Sequence, residues 1–320
     1  MAPNAITLSG FGFVVINLLT LFYYTPTLDQ DCPPWVYASW SIGLFLYQTF
    51  DAVDGSQAWR IALLTFYVQT WDEYHTHTLT LGLISGPVEG ILTLVAVYAL
   101  TAYNGGGSFW QQSLFRTLGL EKHGFVPDTM YELAFNEWYM VYGGVVLIFN
   151  TVQSALNVMS ARRSRGQRAD TALLGLLPFF TAWTLIIAYL ILQPVILRQH
   201  LVPFVFYVGL INAYSVGQMI VAHLTKSRFP FGNVLVAPLA FGVVDSLGPF
   251  LQHLRFGWPS ALGNDVYQVA FVMGCVGLGV GVYGTFVVDV IFAICDYLDI
   301  WCLTIKHPYN VADERKNKRT

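Results

Sequence analysis

The chain has 320 residues, of which 55% are hydrophobic and only 11% are charged, and its formal net charge at pH 7 is −3. Soluble domains carry about 25% charged residues, so this composition excludes an ordinary soluble domain and indicates a protein with several membrane spans. The slightly negative charge argues against a nucleic-acid partner, which would require a basic surface.

Eight apolar segments have the composition of membrane-spanning helices, each of which needs about 20 apolar residues. They lie at 6–24, 35–51, 88–103, 138–159, 171–197, 201–222, 233–251 and 266–294, and the second and third are short. The sequence therefore predicts an all-α fold, a polytopic helical bundle of about eight spans. This membrane domain would occupy residues 1–305, and residues 306–320 would form a cytosolic tail.

Segment 61–71 is apolar but too short to cross a bilayer. Its eleven residues cover about 16 Å as a helix, which is about half the hydrocarbon thickness. We expect it to lie at the membrane interface or to dip into the membrane and return.

The distribution of basic residues predicts the orientation, because lysine and arginine favour the cytosolic side. With eight spans and a cytosolic N-terminus, twelve of the sixteen basic residues face the cytosol. If 61–71 crossed the membrane, only five would do so. The eight-span arrangement therefore places Asp51, Asp54, Glu89 and Lys226 on the cytosolic face.

Two carboxylates, Asp51 and Asp54, end the second predicted span. At about 100° per residue, Asp54, Gly55 and Ala58 all lie within about 60° of Asp51 on a helix. The two acids can hold a divalent cation, and the two small residues leave room for a bulky group to approach. The alternative is a helix end with two solvated acids.

These residues match the first half of D-x2-D-G-x2-A-R-x8-9-G-x3-D-x3-D and resemble the signature of the CDP-alcohol phosphotransferases. Segments 2–8, 47–51, 85–90 and 222–226 resemble the eukaryotic choline and ethanolamine phosphotransferases in particular. The resemblance implies phospholipid biosynthesis by transfer of phosphocholine or phosphoethanolamine from CDP-choline or CDP-ethanolamine to diacylglycerol, with release of CMP. It also implies a bundle of about ten spans, a Mg²⁺ or Mn²⁺ cofactor, a homodimer, and an endoplasmic reticulum or Golgi membrane with the active face toward the cytosol.

The resemblance further implies roles for individual side chains. Asp51 and Asp54 would bind the metal, and Glu89 would assist proton transfer from the acceptor hydroxyl. Glu89 could equally be a favourable charge in the first turn of a helix. The residues expected to meet the nucleotide or its phosphates are Asn4, Gly55, Ala58 and Lys226, although Lys226 could equally extend to the membrane interface.

Two departures from the signature predict impaired activity. Trp59 stands where the family has arginine, and Arg60 lies about 180° from Asp51 on a helix. No G-x3-D-x3-D follows Arg60, and the chain continues at Ile61 with a segment that resembles a later part of the family sequence. An internal deletion or a skipped exon explains this pattern. The competing hypothesis is an inactive membrane variant that pairs with a full-length enzyme or binds lipid.

Overall fold

The computed structural model describes residues 3–28, 30–54, 63–77, 87–119, 128–168, 170–252, 256–304 and 306. At 3–7, 50–54, 63–66, 87–89 and 128–129 it describes the backbone alone. The helices are α1 Pro3–Tyr24, α2 Pro34–Asp54, α3 Leu63–Thr76, α4 Pro87–Tyr103, α5 Leu114–Thr117, α6 Asp128–Glu132, α7 Phe135–Ser164, α8 Asp170–Leu173, α9 Leu177–Leu192, α10 Pro194–Gln199, α11 Leu201–Leu224, α12 Val236–Gln252 and α13 Asp265–Leu298. The described residues contain no strand, so the predicted all-α fold is confirmed.

Helices occupy all eight segments that the sequence predicts as spans. Within the described residues, four helical stretches are long and apolar enough to cross a membrane: Phe135–Ser164, Asp170–Leu192, Leu201–Leu224 and Asp265–Leu298. Three shorter apolar helices accompany them: Leu8–Tyr24, Gly90–Tyr103 and Val236–Gln252. The architecture is that of a polytopic membrane protein.

Local chemistry explains where individual helices begin and end. The longest helix, α13, begins after Asn264, whose side-chain oxygen accepts hydrogen bonds from the backbone N–H groups of Val266 (2.8 Å) and Tyr267 (3.2 Å). The fifth predicted span is not continuous, because α9 ends before Gln193 and α10 begins at Pro194. Proline lacks the N–H group that a continuing helix would need, so the break falls there.

Helices α1, α2 and α4 pack into one layer, with α2 antiparallel to both neighbours. The indole N–H of Trp40 donates to the hydroxyl of Thr20 (2.7 Å), and the Asn17 amide donates to the Trp40 carbonyl (3.1 Å), which joins α1 to α2. The hydroxyl of Ser41 donates to the carbonyl of Val95 in α4 (2.9 Å). These bonds fix the register of the three helices.

The remaining long helices form a second group. Helix α3 packs against α7 and α11, α9 packs against α12, and α11 packs against α13. Tyr189, Phe204, Tyr207 and Ile211 belong to the largest buried cluster of this group. The side-chain amide oxygen of Gln268 accepts a hydrogen bond from the Tyr189 hydroxyl (3.0 Å), so this polar pair is satisfied inside the apolar core.

Helix α3 corresponds to the short segment that the sequence could not assign to a span. Tyr67, Val68 and Trp71 are at most 3% exposed. The Tyr67 hydroxyl donates to the Gly175 carbonyl (2.9 Å), and the Trp71 indole donates to the Ala172 carbonyl (3.1 Å). These contacts pack α3 against other helices of the bundle, and its position at the membrane interface or dipping into the membrane stays a prediction.

Asp31 ties the connection between α1 and α2 to the turn that follows α4. Its carboxylate accepts hydrogen bonds from the Gly107 N–H (2.9 Å), the Tyr37 hydroxyl (2.6 Å) and the Cys32 N–H (2.9 Å). These donors, led by the Gly107 N–H, lower the pKa of the Asp31 carboxyl below its usual value of 3.8. The charged form of Asp31 therefore stabilises the folded state.

We expect Asp31→Asn to lower the thermal unfolding midpoint at pH 7 and to have much less effect near pH 3. A lowered carboxyl pKa gives stability that is present above the unfolded pKa of about 3.9 and is lost as the pH falls through the folded value. Unfolding of the purified chain in detergent at both pH values measures this. Asp296→Asn removes an exposed carboxylate and is the control. An equal shift at both pH values would contradict the prediction.

Candidate active site

The register of α1 against α2 determines where the first site residues lie. The Asn17 side chain is packed against Gly43, where a Cβ atom would come within 2.5 Å of it. Near the opposite end of this pair, the rings of Tyr24 and Trp35 lie 5.5 Å apart. Because the two helices are antiparallel, the first turn of α1, with Asn4, lies beside the last turn of α2.

The register of α4 against α2 determines the position of Glu89. Ser41 contacts Val95, and the rings of Trp40 and Tyr98 lie 5.5 Å apart. When this antiparallel pairing is extended along both helices, the backbone of Glu89 lies opposite residues 47–49. That position is within about one helical turn of Asp51.

The backbone thus brings together four of the predicted site residues at one end of a three-helix layer. They are Asn4 in α1, Asp51 and Asp54 in α2, and Glu89 in α4. Gly55 and Ala58 lie outside the described residues. Among the described side chains, no group of three His, Cys, Asp or Glu residues could hold a metal ion.

Helix electrostatics separates the acids of this region into two kinds. Asp51 and Asp54 lie in the last described turn of α2, toward the negative end of the helix dipole, and no basic residue shares that turn. Two carboxylates at this helix end are unfavourable by about 0.3–1 kcal/mol each unless a cation accompanies them. Glu89 lies in the first turn of α4, where the dipole favours a negative charge. The end of α2 therefore suits a cation, whereas the start of α4 stabilises its acid without one.

Lys226 lies in a different part of the described structure. It follows the last turn of α11, which ends beside the last turn of α3. The hydroxyl of Tyr74 in α3 donates to the Ser227 carbonyl (2.7 Å), and the rings of His77 and His223 lie 5.3 Å apart. The described contacts of the Lys226 end of α11 are thus with α3.

The sequence did not predict a structural role for Arg165, which directly follows α7. The guanidinium of Arg165 donates to the carbonyls of His75 and Thr76, at 2.9 Å each, and so satisfies the last carbonyls of α3. His75, in the last turn of α3, is only 8% exposed. The sequence places four arginines close together at 162, 163, 165 and 168, but it does not show which carbonyls they would reach.

Taken together, the fold and this region define an α-helical membrane protein with acidic residues gathered at one end of its first helices. No protein-family model matches the chain. An uncharacterized CDP-alcohol phosphatidyltransferase class-I family protein of Schizosaccharomyces pombe is 37% identical, over 95% of this chain and 86% of that protein. Choline/ethanolaminephosphotransferase 1 of Saccharomyces cerevisiae is 35% identical, over 96% of this chain and 87% of its own length. Cholinephosphotransferase 1 of the same yeast is 31% identical over 97% and 88%. The chain belongs to the CDP-alcohol phosphotransferase family.

The same comparisons bear on the missing half of the signature. The alignments with the first two relatives span 349 and 361 positions, which is more than the 320 residues of the whole chain. Each of these relatives therefore carries residues inside the aligned region that have no counterpart here. This agrees with the absence of G-x3-D-x3-D after Arg60.

Proposed function

We propose that this chain binds a CDP-alcohol at the cytosolic end of α2 and transfers its phosphocholine or phosphoethanolamine group to diacylglycerol at a much lower rate than its relatives. The observation that carries the proposal is the pair Asp51 and Asp54 in the last described turn of α2, where the helix dipole favours a bound cation. The names of the yeast relatives supply the reaction class. An endoplasmic reticulum or Golgi membrane and a homodimeric assembly are part of the proposal.

The acids at the end of α2 fit one divalent ion. Mg²⁺ commonly uses one or two protein carboxylates, with water and substrate phosphates completing its coordination. Asp51 and Asp54 would supply those carboxylates, and Mn²⁺ suits the same oxygen ligands. When bound, the ion would neutralise charge on the diphosphate of the substrate. Two carboxylates do not suffice for a two-metal site, so the proposed site holds a single ion.

The remaining predicted residues orient the two substrates. Glu89 would accept the proton of the diacylglycerol hydroxyl, whose oxygen forms the new bond to the phosphorus next to the alcohol. The bond from that phosphorus to the CMP oxygen breaks, and CMP leaves with the electron pair. Asn4, Gly55 and Ala58 would line the nucleotide site, with the small residues allowing close approach. Lys226 would meet a phosphate.

Binding of CDP-choline to the full chain in nanodiscs tests the metal site directly. We expect Mg²⁺ to tighten binding by about tenfold relative to EDTA, which corresponds to about 1.4 kcal/mol. Asp51→Asn together with Asp54→Asn should remove this Mg²⁺ dependence, because the two amides no longer attract the ion. Isothermal titration calorimetry in the presence and absence of Mg²⁺ measures the difference.

Asp170→Asn is the matched control for this experiment. It removes an exposed carboxylate that lies on the same predicted face of the membrane, outside the proposed site. It should leave the Mg²⁺ dependence unchanged. If the double variant bound CDP-choline with the same Mg²⁺ dependence as the unmodified chain, the proposed metal site would be wrong.

The missing half of the signature favours a second candidate function. An inactive chain of this family could pair with a full-length homologue or bind lipid without transferring a headgroup. Expression of the tagged chain with an intact homologue distinguishes the two hypotheses. Co-purification with the homologue, with no transfer activity of the chain alone, would favour the second.

A further inference from the structure

Two helices end side by side, and each is followed by a basic residue in a backbone conformation that glycine usually adopts. His77 follows α3 with φ of 58°, and Lys226 follows α11 with φ of 53°. Residues with a side chain are disfavoured in this left-handed region, and glycine is the usual residue at the helix end. Stability alone therefore does not explain two basic residues at these positions.

Capping of the helix ends does not explain these side chains either. At the end of α11, the Val221 carbonyl accepts from the Thr225 N–H (2.9 Å), and the Ala222 carbonyl accepts from the Ser227 N–H (2.8 Å). At the end of α3, the last carbonyls accept from Arg165. The backbone and Arg165 thus satisfy these carbonyls, and the side chains of the neighbouring basic residues remain available.

The basic side chains at the ends of α3 and α11 lie close together. The rings of His77 and His223 lie 5.3 Å apart, and His77 and Lys226 are exposed. Burial, followed by the charges of Arg165, His223 and Lys226, lowers the pKa of His77 below 6.5. The cations are therefore close enough to oppose protonation of the histidine.

The ion pairs found in the described part of the chain do not involve these basic groups. None of the carboxylates there forms an ion pair with His77, His223 or Lys226. The Nδ1 atom of His223 is buried and has no hydrogen-bond partner among the described residues. A buried polar atom without a partner destabilises the folded state, and a bound hydrogen-bonding group would satisfy it.

We propose that His77, His223 and Lys226, with Arg165 beside them, form a binding site for a phosphate group. Phosphate oxygens accept hydrogen bonds from ammonium, imidazole and guanidinium groups, and their negative charge offsets the mutual repulsion of the cations. For Lys226 the inference extends the phosphate contact proposed above, and for the other three residues it is new. The site requires neither the metal ion nor transfer activity.

The phosphate group can come from a lipid headgroup or from a soluble molecule, and two probes separate these sources. The full chain is purified in detergent with EDTA present, and its affinity is measured for inorganic phosphate and for short-chain phosphatidic acid at constant ionic strength. Binding of phosphatidic acid alone assigns the site to a lipid headgroup. Binding of inorganic phosphate assigns it to a soluble ligand.

Two variants test the residues, and a third is the control. Lys226→Gly and His223→Gln should each weaken binding of the effective probe by about tenfold, the usual result of losing a charge-assisted hydrogen bond. Arg163→Gln removes an exposed positive charge near the same end of α7 and should change affinity by less than twofold. In addition, Lys226→Gly should raise the thermal unfolding midpoint, because glycine adopts the left-handed conformation without strain.

These outcomes distinguish binding from a purely structural role. If neither probe bound, or if Arg163→Gln weakened binding as much as the two site variants, the proposed site would be overturned. Lower stability of Lys226→Gly, with unchanged affinity, would do the same. The variant with both Asp51→Asn and Asp54→Asn should bind the probe normally in EDTA, so a failure of the metal site leaves this inference standing.

Discussion

Inserting the missing half of the signature between Arg60 and Ile61 is expected to raise transfer activity by at least about a thousandfold. The insert carries the family pattern x8-9-G-x3-D-x3-D, so that this pattern would follow Arg60. It would add the two aspartates of G-x3-D-x3-D to Asp51 and Asp54 and so allow a second metal ion. Removing single members of a catalytic group commonly lowers rates by several orders of magnitude, and restoring them should reverse that loss.

The measurement is formation of phosphatidylcholine or phosphatidylethanolamine from CDP-alcohol and diacylglycerol in proteoliposomes containing Mg²⁺. The control insert has the same length but carries asparagine in place of both aspartates, so it restores the chain without its carboxylates. It should remain as weakly active as the unmodified chain. Robust metal-dependent synthesis by the unmodified chain would refute the proposed impairment.

Hydropathy was sufficient to predict most helices because a bilayer imposes a minimum length on apolar segments. Helices α7, α11 and α13 lie within a few residues of the predicted spans, and their ends follow local signals such as the Asn264 cap. The break at Pro194 was also present in the sequence as a proline within an apolar run. It went unpredicted because proline is tolerated in many membrane helices, where neighbouring groups satisfy the freed carbonyls.

The environment of α3 could not be predicted from its own residues. A segment of eleven apolar residues has the same length and composition at an interface as inside a bundle. What decides its position is the groove between α7 and α11, including the close approach of Gly175 to Trp71. That information is spread over residues more than 100 positions apart.

One part of the candidate site could be predicted from neighbouring residues, and the other part depends on contacts between distant ones. The spacing of Asp51 and Asp54 is a local pattern, and one sequence was enough to identify it. The approach of Asn4 and Glu89 to the same end of α2 depends on the register of three helices, which the contacts of Asn17, Trp40 and Ser41 set. The distribution of basic residues predicted that the site residues share one face of the membrane. It did not predict which helices pair there.

Trp71→Ala is expected to cause the largest loss of stability among single substitutions in the described part of the bundle. Trp71 has 0% exposure, packs in one cluster with Tyr67 and Met219, and donates a hydrogen bond to the Ala172 carbonyl (3.1 Å). Replacing a buried tryptophan with alanine leaves a large cavity and typically costs about 3–5 kcal/mol. Here it also leaves one buried carbonyl without its donor.

Far-ultraviolet circular dichroism monitors the unfolding of the purified chain in detergent. It measures this loss without relying on tryptophan fluorescence. Trp35→Ala is the matched control, because Trp35 is 56% exposed and should contribute little. Trp71→Phe should lie between the two, since phenylalanine fills much of the space but cannot donate to Ala172. Gly175→Ala should destabilise the same contact from the other side, because its Cβ would come within 2.6 Å of the Trp71 indole nitrogen. If Trp71→Ala and Trp35→Ala shifted the unfolding midpoint equally, α3 would not be enclosed by α7 and α11 in the way this packing requires.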